Sequence, residues 1–257
     1  MSRTTIVFLG QCHTYGYPGV PPEAAFPQVL RRAIEAYKPD TTLNVILEPY
    51  DHPSGLSRSV TRALRHRPRI VVVEVTGWLA VKGSGAVNLS RLPKTFHSTY
   101  DRVRHFRVAS QFIAAKIPQG SKLIYRFQSK SFEAIASVLG PLIARYPRPT
   151  VEEYRACVSD AIQRIVQSPG TQVVIQGPGS PNLDLNFRGL AADAVERYKA
   201  VECMAREVAT QHGTMYVDRW NAVNPDFFSP GSIRPTAEGH MEWGNLLARE
   251  LLSNDVF

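Results

Sequence analysis

Cysteine is scarce in this sequence. Only three occur among 257 residues, Cys12, Cys157 and Cys203, and no two of them stand in Cys-x-x-Cys spacing. Disulfide-stapled domains carry a dense and even set of cysteines, and zinc sites carry closely spaced pairs. The sequence therefore predicts reduced thiols, with neither a disulfide framework nor a metal site, and no motif implies an organic cofactor.

Long hydrophobic stretches are also missing. The longest apolar runs, such as residues 70–73 and 173–175, have the length of strands, whereas a membrane-spanning helix needs roughly 18 consecutive apolar residues. The amino terminus passes from one arginine straight into an apolar strand, without the longer apolar region of a secretory signal. We therefore expect no transmembrane segment and a cytoplasmic location.

Acidic residues are outnumbered, and the excess of positive charge is concentrated in one segment. The chain has 30 lysines and arginines against 22 acids. Residues 77–170 hold fourteen of the basic residues and five of the acidic ones. A solvated helical surface is the simplest interpretation, and binding of nucleic acid or of an anionic membrane surface through residues 77–170 is a less favoured alternative.

Strand-like and helix-like segments alternate along the chain. Buried strands are predicted at residues 5–9, 42–47, 69–75, 172–176 and 214–217. Helices are predicted at residues 27–37, 56–64, 191–211 and 237–252. Such alternation is typical of a mostly parallel sheet covered on both faces. The sequence thus predicts one three-layer α/β/α domain over residues 1–257, with a five-stranded, flavodoxin-like sheet.

The alternation is interrupted between the third and fourth predicted strands. Within this interval, helices are predicted at residues 102–117, 131–146 and 150–167, and a strand-like run at residues 122–127. Because the rhythm of one strand and one helix is lost here, we interpret residues 77–170 as a basic, mainly helical insertion within the single domain.

The turn after the first strand carries the strongest functional signal. It reads Gly10-Gln11-Cys12-His13-Thr14-Tyr15-Gly16. In an open parallel sheet, the turns at the carboxyl ends of the strands form the ligand site. A cysteine there is a candidate nucleophile, because a helix start stabilises a thiolate and its N–H groups can bind an oxyanion. Burial of Cys12 as an inert packing residue is the competing interpretation.

A cysteine nucleophile needs a base, and few histidines are placed to supply one. His52 follows the second strand on the same sheet edge, where Asp51 or Glu48 could orient it. His13 directly follows the cysteine, although the side chains of sequence neighbours usually point apart. His240, near the start of the last predicted helix, is expected to cap or pack.

The turn resembles the first block of the SGNH (GDSL-type) hydrolases, Gly-Asp-Ser-x-Thr-x-Gly. Gly10, Thr14 and Gly16 match that block, Gln11 occupies its Asp position, and Cys12 occupies the position of its nucleophilic Ser. The resemblance covers residues 1–76 and 171–257. It implies the SGNH fold and a reaction on an acyl group.

The closing block of the family, Asp-x-x-His-Pro-x-x-x-Gly-His, is similar to residues 231–240. Pro235, Gly239 and His240 match it. By this alignment, Arg234 stands in place of the catalytic His and Gly231 in place of the Asp. The Asn of the family's third block is absent where Trp78 follows the third strand.

From this resemblance we predict ester or thioester hydrolysis, or acyl transfer, on a small acyl compound. The predicted catalytic residues are Cys12 as nucleophile and His52 or His13 as base. Arg234 is predicted to anchor an anionic group, and Gly10, Gln11, Thr14 and Trp78 complete the predicted substrate-binding set. The missing His, Asp and Asn favour an alternative. In this alternative the chain is a catalytically inactive SGNH-like protein that binds a ligand or partner in the cleft that holds the family's active site.

Overall fold

Five strands form the centre of the structure. A computed structural model describes residues 2–16, 20–50, 53–77, 149–180, 194–227 and 235–256, all of which belong to one unit of the chain. The strands are β1 (Ser2–Gly10), β2 (Thr41–Pro49), β3 (Ile70–Glu74), β4 (Gln172–Gln176) and β5 (Met215–Val217). The helices in these ranges are α1 (Phe26–Tyr37), α2 (Leu56–Arg65), α3 (Val151–Val166), α4 (Ala194–Gln211), α5 (Arg219–Ala222) and α6 (Ala237–Ser253).

All five strands are parallel and lie in the order β2-β1-β3-β4-β5. The predicted five-stranded, flavodoxin-like sheet is therefore confirmed, and each predicted strand and framework helix is present within a few residues of its expected ends. This order places the carboxyl ends of β1, β3 and β4 side by side. The turns that leave those ends accordingly meet at one edge.

Two apolar layers cover the two faces of the sheet, because successive side chains of a strand point to opposite faces. Every residue of β3 is buried. Val71 and Val73 pack with α2, α3 and α4, whereas Ile70 and Val72 pack with α1 and α6. Burying one such side chain contributes about 1.5–3 kcal/mol, so the uninterrupted apolar run of β3 fixes this strand in the interior.

Helices α1 and α6 approach each other closely on one face. The approach is centred on Gly244, where an added Cβ would lie 2.5 Å from the Cβ of Val29. Thr236 is the N-cap of helix α6, and its side chain accepts a hydrogen bond from the Gly239 N–H at 3.2 Å. This cap satisfies one of the free N–H groups of the first turn.

Part of the predicted insertion at residues 77–170 lies within the described chain. The helix predicted at residues 150–167 is confirmed as α3, which begins with a capping box formed by Thr150 and Glu153. Its apolar side packs against the central sheet. The elements predicted at residues 102–117, 122–127 and 131–146 lie outside the described residues. None of the helices in the described ranges is long and apolar enough to cross a membrane.

The contact between α1 and α6 makes a testable prediction. Alanine normally stabilises a helix interior relative to glycine by about 1 kcal/mol. In Gly244→Ala, the clash with Val29 outweighs that gain, and the free energy of unfolding in urea is expected to fall by about 1–2 kcal/mol. The matched control is Gly55→Ala, whose added Cβ meets open space. Equal stability of the two variants would contradict this packing.

Candidate active site

The turn after β1 stands at the carboxyl edge of the sheet. Residues Cys12–Tyr15 form a short 3₁₀ turn, and Gly16 ends it with a φ of +75°, a backbone conformation that favours glycine. The predicted residues Cys12 and His13 thus lie at the expected edge. Their side chains, like His52, Trp78 and Arg234, lie outside the described residues, so the roles predicted for them stay predictions.

A buried carboxylate holds this turn in place. The Thr14 hydroxyl donates a hydrogen bond to Glu74 Oε2 at 2.6 Å, and the Gln11 N–H points to the same oxygen at 3.4 Å. Glu74, at the end of β3, is fully buried. Gly10 passes so close that an added Cβ would lie 1.8 Å from Thr14 Oγ1. Gly10 and Thr14 therefore shape the turn, and their predicted contact with substrate stays a prediction.

The charge of Glu74 is paired with Arg219, the first residue of α5. The distance from Arg219 Nη1 to Glu74 Oε1 is 3.1 Å, and both side chains are almost completely buried. Arg219 also donates through Nε to the Gly177 carbonyl, and its guanidinium carbon lies 4.1 Å from the centre of the Trp243 ring. A buried ion pair is tolerated only when its polar atoms are hydrogen-bonded, and this pair meets that condition.

Asp218 places Arg219 at the start of its helix. The Asp218 carboxylate accepts hydrogen bonds from the Asn221 N–H at 3.2 Å and from Arg206 at 3.0 Å. Partial burial acts to raise the pKa of Asp218, but the hydrogen bonds from Asn221 and Arg206 outweigh it and hold the pKa below its ordinary value. The cap is consequently ionised at neutral pH.

Two tyrosines join the ends of β2 and β3. The Tyr50 hydroxyl donates to the Glu74 carbonyl and lies 3.0 Å from the Tyr154 hydroxyl, which accepts from the Thr76 N–H at 3.2 Å. Burial, together with the other tyrosine, raises the pKa of Tyr50, and burial raises that of Tyr154. Both phenols are therefore neutral near pH 7 and act as fixed hydrogen-bonding groups rather than as bases.

Gln176 ends β4 beside Glu74, its partner in the strand register. Its side chain is fully buried, and neither polar atom has a hydrogen-bond partner among the described residues. A buried amide without partners costs about 1–3 kcal/mol. The site thus contains an amide whose hydrogen-bonding capacity is unused in the part of the chain that the structure describes.

Among the histidine and carboxylate candidates, the structure describes the side chains of His240 and Glu48. His240 is buried, stacks on the Phe26 ring and accepts the Phe26 N–H at Nδ1 over 3.3 Å, as expected of a packing residue. Glu48, a candidate to orient His52, pairs with Arg62 at 2.6 Å and approaches His66 at 3.4 Å; its predicted contact with His52 stays a prediction. The other candidate, Asp51, lies outside the described residues.

Solved structures similar to this chain include lipases and an esterase. The lipase/acylhydrolase from Enterococcus faecalis aligns with a TM-score of 0.60 and 17% identity, covering 98% of this chain and 96% of its own. A GDSL-like lipase from Parabacteroides merdae aligns with a TM-score of 0.57 and 12% identity, covering 99% of this chain and 96% of its own. An acetylxylan esterase from Geobacillus stearothermophilus aligns with a TM-score of 0.58 and 10% identity, covering 96% of this chain and 94% of its own.

These likenesses confirm the fold that the first block implied. The chain has the fold of the SGNH hydrolases, with a parallel five-stranded sheet and helices on both faces. No protein-family model matches the sequence. No curated protein matches it either.

The buried ion pair makes a second prediction. Arg219→Met removes the cation and leaves the Glu74 carboxylate uncompensated in the interior, so the free energy of unfolding is expected to fall by about 3–5 kcal/mol. The double variant Glu74→Gln/Arg219→Met removes both charges and should recover much of that loss. Urea unfolding followed by circular dichroism measures both. A double variant no more stable than Arg219→Met would show that an unpaired Glu74 carboxylate is not the cause of the lost stability.

Proposed function

We propose that this protein is an SGNH-like acyl hydrolase or acyltransferase that uses Cys12 as its nucleophile on a small ester or thioester. The observation that carries the proposal is the position of Cys12 in the 3₁₀ turn after β1, which buried Glu74 anchors through Thr14 and the Gln11 N–H. A turn held this firmly can present a nucleophile and backbone N–H donors in fixed geometry.

The proposed reaction has two steps. The Cys12 thiolate attacks the acyl carbonyl, a bond to the leaving oxygen or sulfur breaks, and the base returns the thiol proton to the leaving group. Water then cleaves the resulting thioester in hydrolysis, or an acceptor alcohol, thiol or amine does so in transfer. We assign the base to His52 or His13 and the oxyanion donors to the N–H groups of Cys12 and the loop after β2.

Arg234 takes the place of the family's catalytic histidine in this proposal. A guanidinium at that position binds an anionic group of the substrate and lowers the pKa of a nearby thiol. The fold supports a shared pocket, because the first and last blocks lead to the same edge of the sheet. Trp78, after β3, is proposed to line the same pocket.

A ligand-binding protein without catalysis is the second candidate. It is favoured by the replacement of the family's His and Asp by Arg234 and Gly231. Such a protein keeps the anchored turn but gains no advantage from a reactive thiol. The reactivity of Cys12 therefore separates the two functions.

The chain supplies its own reference thiols for this test. Burial raises the pKa of Cys157, and burial with the nearby Glu202 carboxylate raises that of Cys203. Because only the thiolate reacts, we expect iodoacetamide to label Cys12 faster than Cys157 or Cys203 at pH 7, with a lower pH midpoint. Peptide mass spectrometry measures the three rates. Arg234→Ala should raise the midpoint of Cys12 alone.

Turnover decides between the two functions. Acetyl thioesters and p-nitrophenyl acetate are the probes, with Cys12→Ala and Cys12→Ser as test variants and Cys203→Ala as the control. Hydrolysis in the wild type and Cys203→Ala, but in neither Cys12 variant, supports the proposal. An unreactive Cys12 without turnover supports the ligand-binding protein, and turnover that survives Cys12→Ala refutes the assigned nucleophile.

A further inference from the structure

Helix α2 and the loop that follows it carry a row of arginines on a side of the molecule that the proposed reaction does not use. Between Asp51 and Glu74 the sequence contains no acidic residue. The same interval holds five arginines, Arg58, Arg62, Arg65, Arg67 and Arg69, which we name the arginine row. So dense a run of one charge needs a reason, because like charges repel one another.

The fold displays three of these residues on one face of α2. Arg58, Arg62 and Arg65 are spaced by four and three residues, which places them along one stripe about 10 Å long. Arg58 and Arg65 are exposed. The apolar side of the same helix, including Leu56 and Val60, is fully buried against the sheet. The exposed side of the helix therefore carries Arg58 and Arg65, together with the neutral Ser57 and Thr61.

Most of the row has no partner for its charge. Glu48 pairs with Arg62 at 2.6 Å. Among the described residues, the side chains of Arg58, Arg65 and Arg67 make no hydrogen bond or ion pair. Arg69 donates to the Val256 carbonyl, which carries no full charge. Several guanidinium groups are therefore available to an anion from outside.

Arg67 adds an independent observation from the backbone. Its φ is +46°, in the left-handed region that glycine and asparagine favour, and its N–H donates to the Leu64 carbonyl at 3.1 Å. An arginine is strained at this position after a helix. Backbone strain of this kind is concentrated at functional sites, and Arg67 continues the charge of α2 into the loop.

We propose that the arginine row binds the phosphodiester backbone of a nucleic acid. Guanidinium groups hold phosphate oxygens in pairs, and a linear row matches a linear chain of phosphates. Helices that bind membranes expose apolar side chains beside their charges, whereas the apolar side chains of α2 are buried. The row contains no aromatic residue for base stacking, so binding is independent of base sequence.

Fluorescence anisotropy with a labelled oligothymidylate of about 20 nucleotides tests the proposal. The test variant is Arg58→Gln/Arg65→Gln, which keeps good helix formers. The control is Lys199→Gln/Arg249→Gln, which removes the same charge from exposed positions on α4 and α6. Wild type should bind with strong salt dependence. Loss of two phosphate contacts should weaken binding on the order of tenfold and lower the salt slope by about 1.4.

Arg67→Gly separates binding from folding. Glycine relieves the left-handed strain, so the variant should melt at the wild-type temperature or higher while binding the oligonucleotide more weakly. No binding by the wild type, equal weakening in the control variant, or unchanged binding in Arg67→Gly and the Arg58/Arg65 variant would each overturn the proposal. Binding to vesicles with about 30% phosphatidylserine but not to the oligonucleotide would assign the row to a membrane instead.

Discussion

The buried ion pair between Glu74 and Arg219 is the contact on which the candidate site depends. Glu74 ends β3 and bonds the turn after β1, while Arg219 begins α5, bonds the loop after β4 and stacks on Trp243 of α6. Charges this deeply buried are stable only with all partners in position. The pair therefore couples three strand ends and two helices, and it sets the geometry of the turn that contains Cys12.

The framework was predictable because its signals are local. Apolar runs such as residues 70–73 identify buried strands directly, and the helices between them follow from spacing of apolar residues. Five buried residues could not be recognised from the sequence, because their contacts join residues 24 to 145 positions apart; they are Glu74, Arg219, Tyr50, Tyr154 and Gln176. One signal was available: a carboxylate at the end of an entirely apolar strand run must have a buried partner.

Helix α2 lies between the candidate active site and the proposed nucleic-acid-binding arginines. The helix starts beyond the loop after β2, at the edge that carries the candidate active site, and ends at Arg65, just before Arg67. Its apolar side stabilises the sheet, and Arg58 and Arg65 on its other side face solvent. Glu48 is bonded to Arg62, and its predicted contact with His52 stays a prediction.

Glu74, through Thr14, holds the turn that contains the proposed nucleophile Cys12. The most direct measurement is the rate of Cys12 alkylation by iodoacetamide in Thr14→Val, which removes the 2.6 Å hydrogen bond with little change of volume. We expect the rate at Cys12 to fall severalfold toward that of Cys203, while the rate at Cys203 is unchanged. An unchanged rate at Cys12 in the folded variant would contradict it.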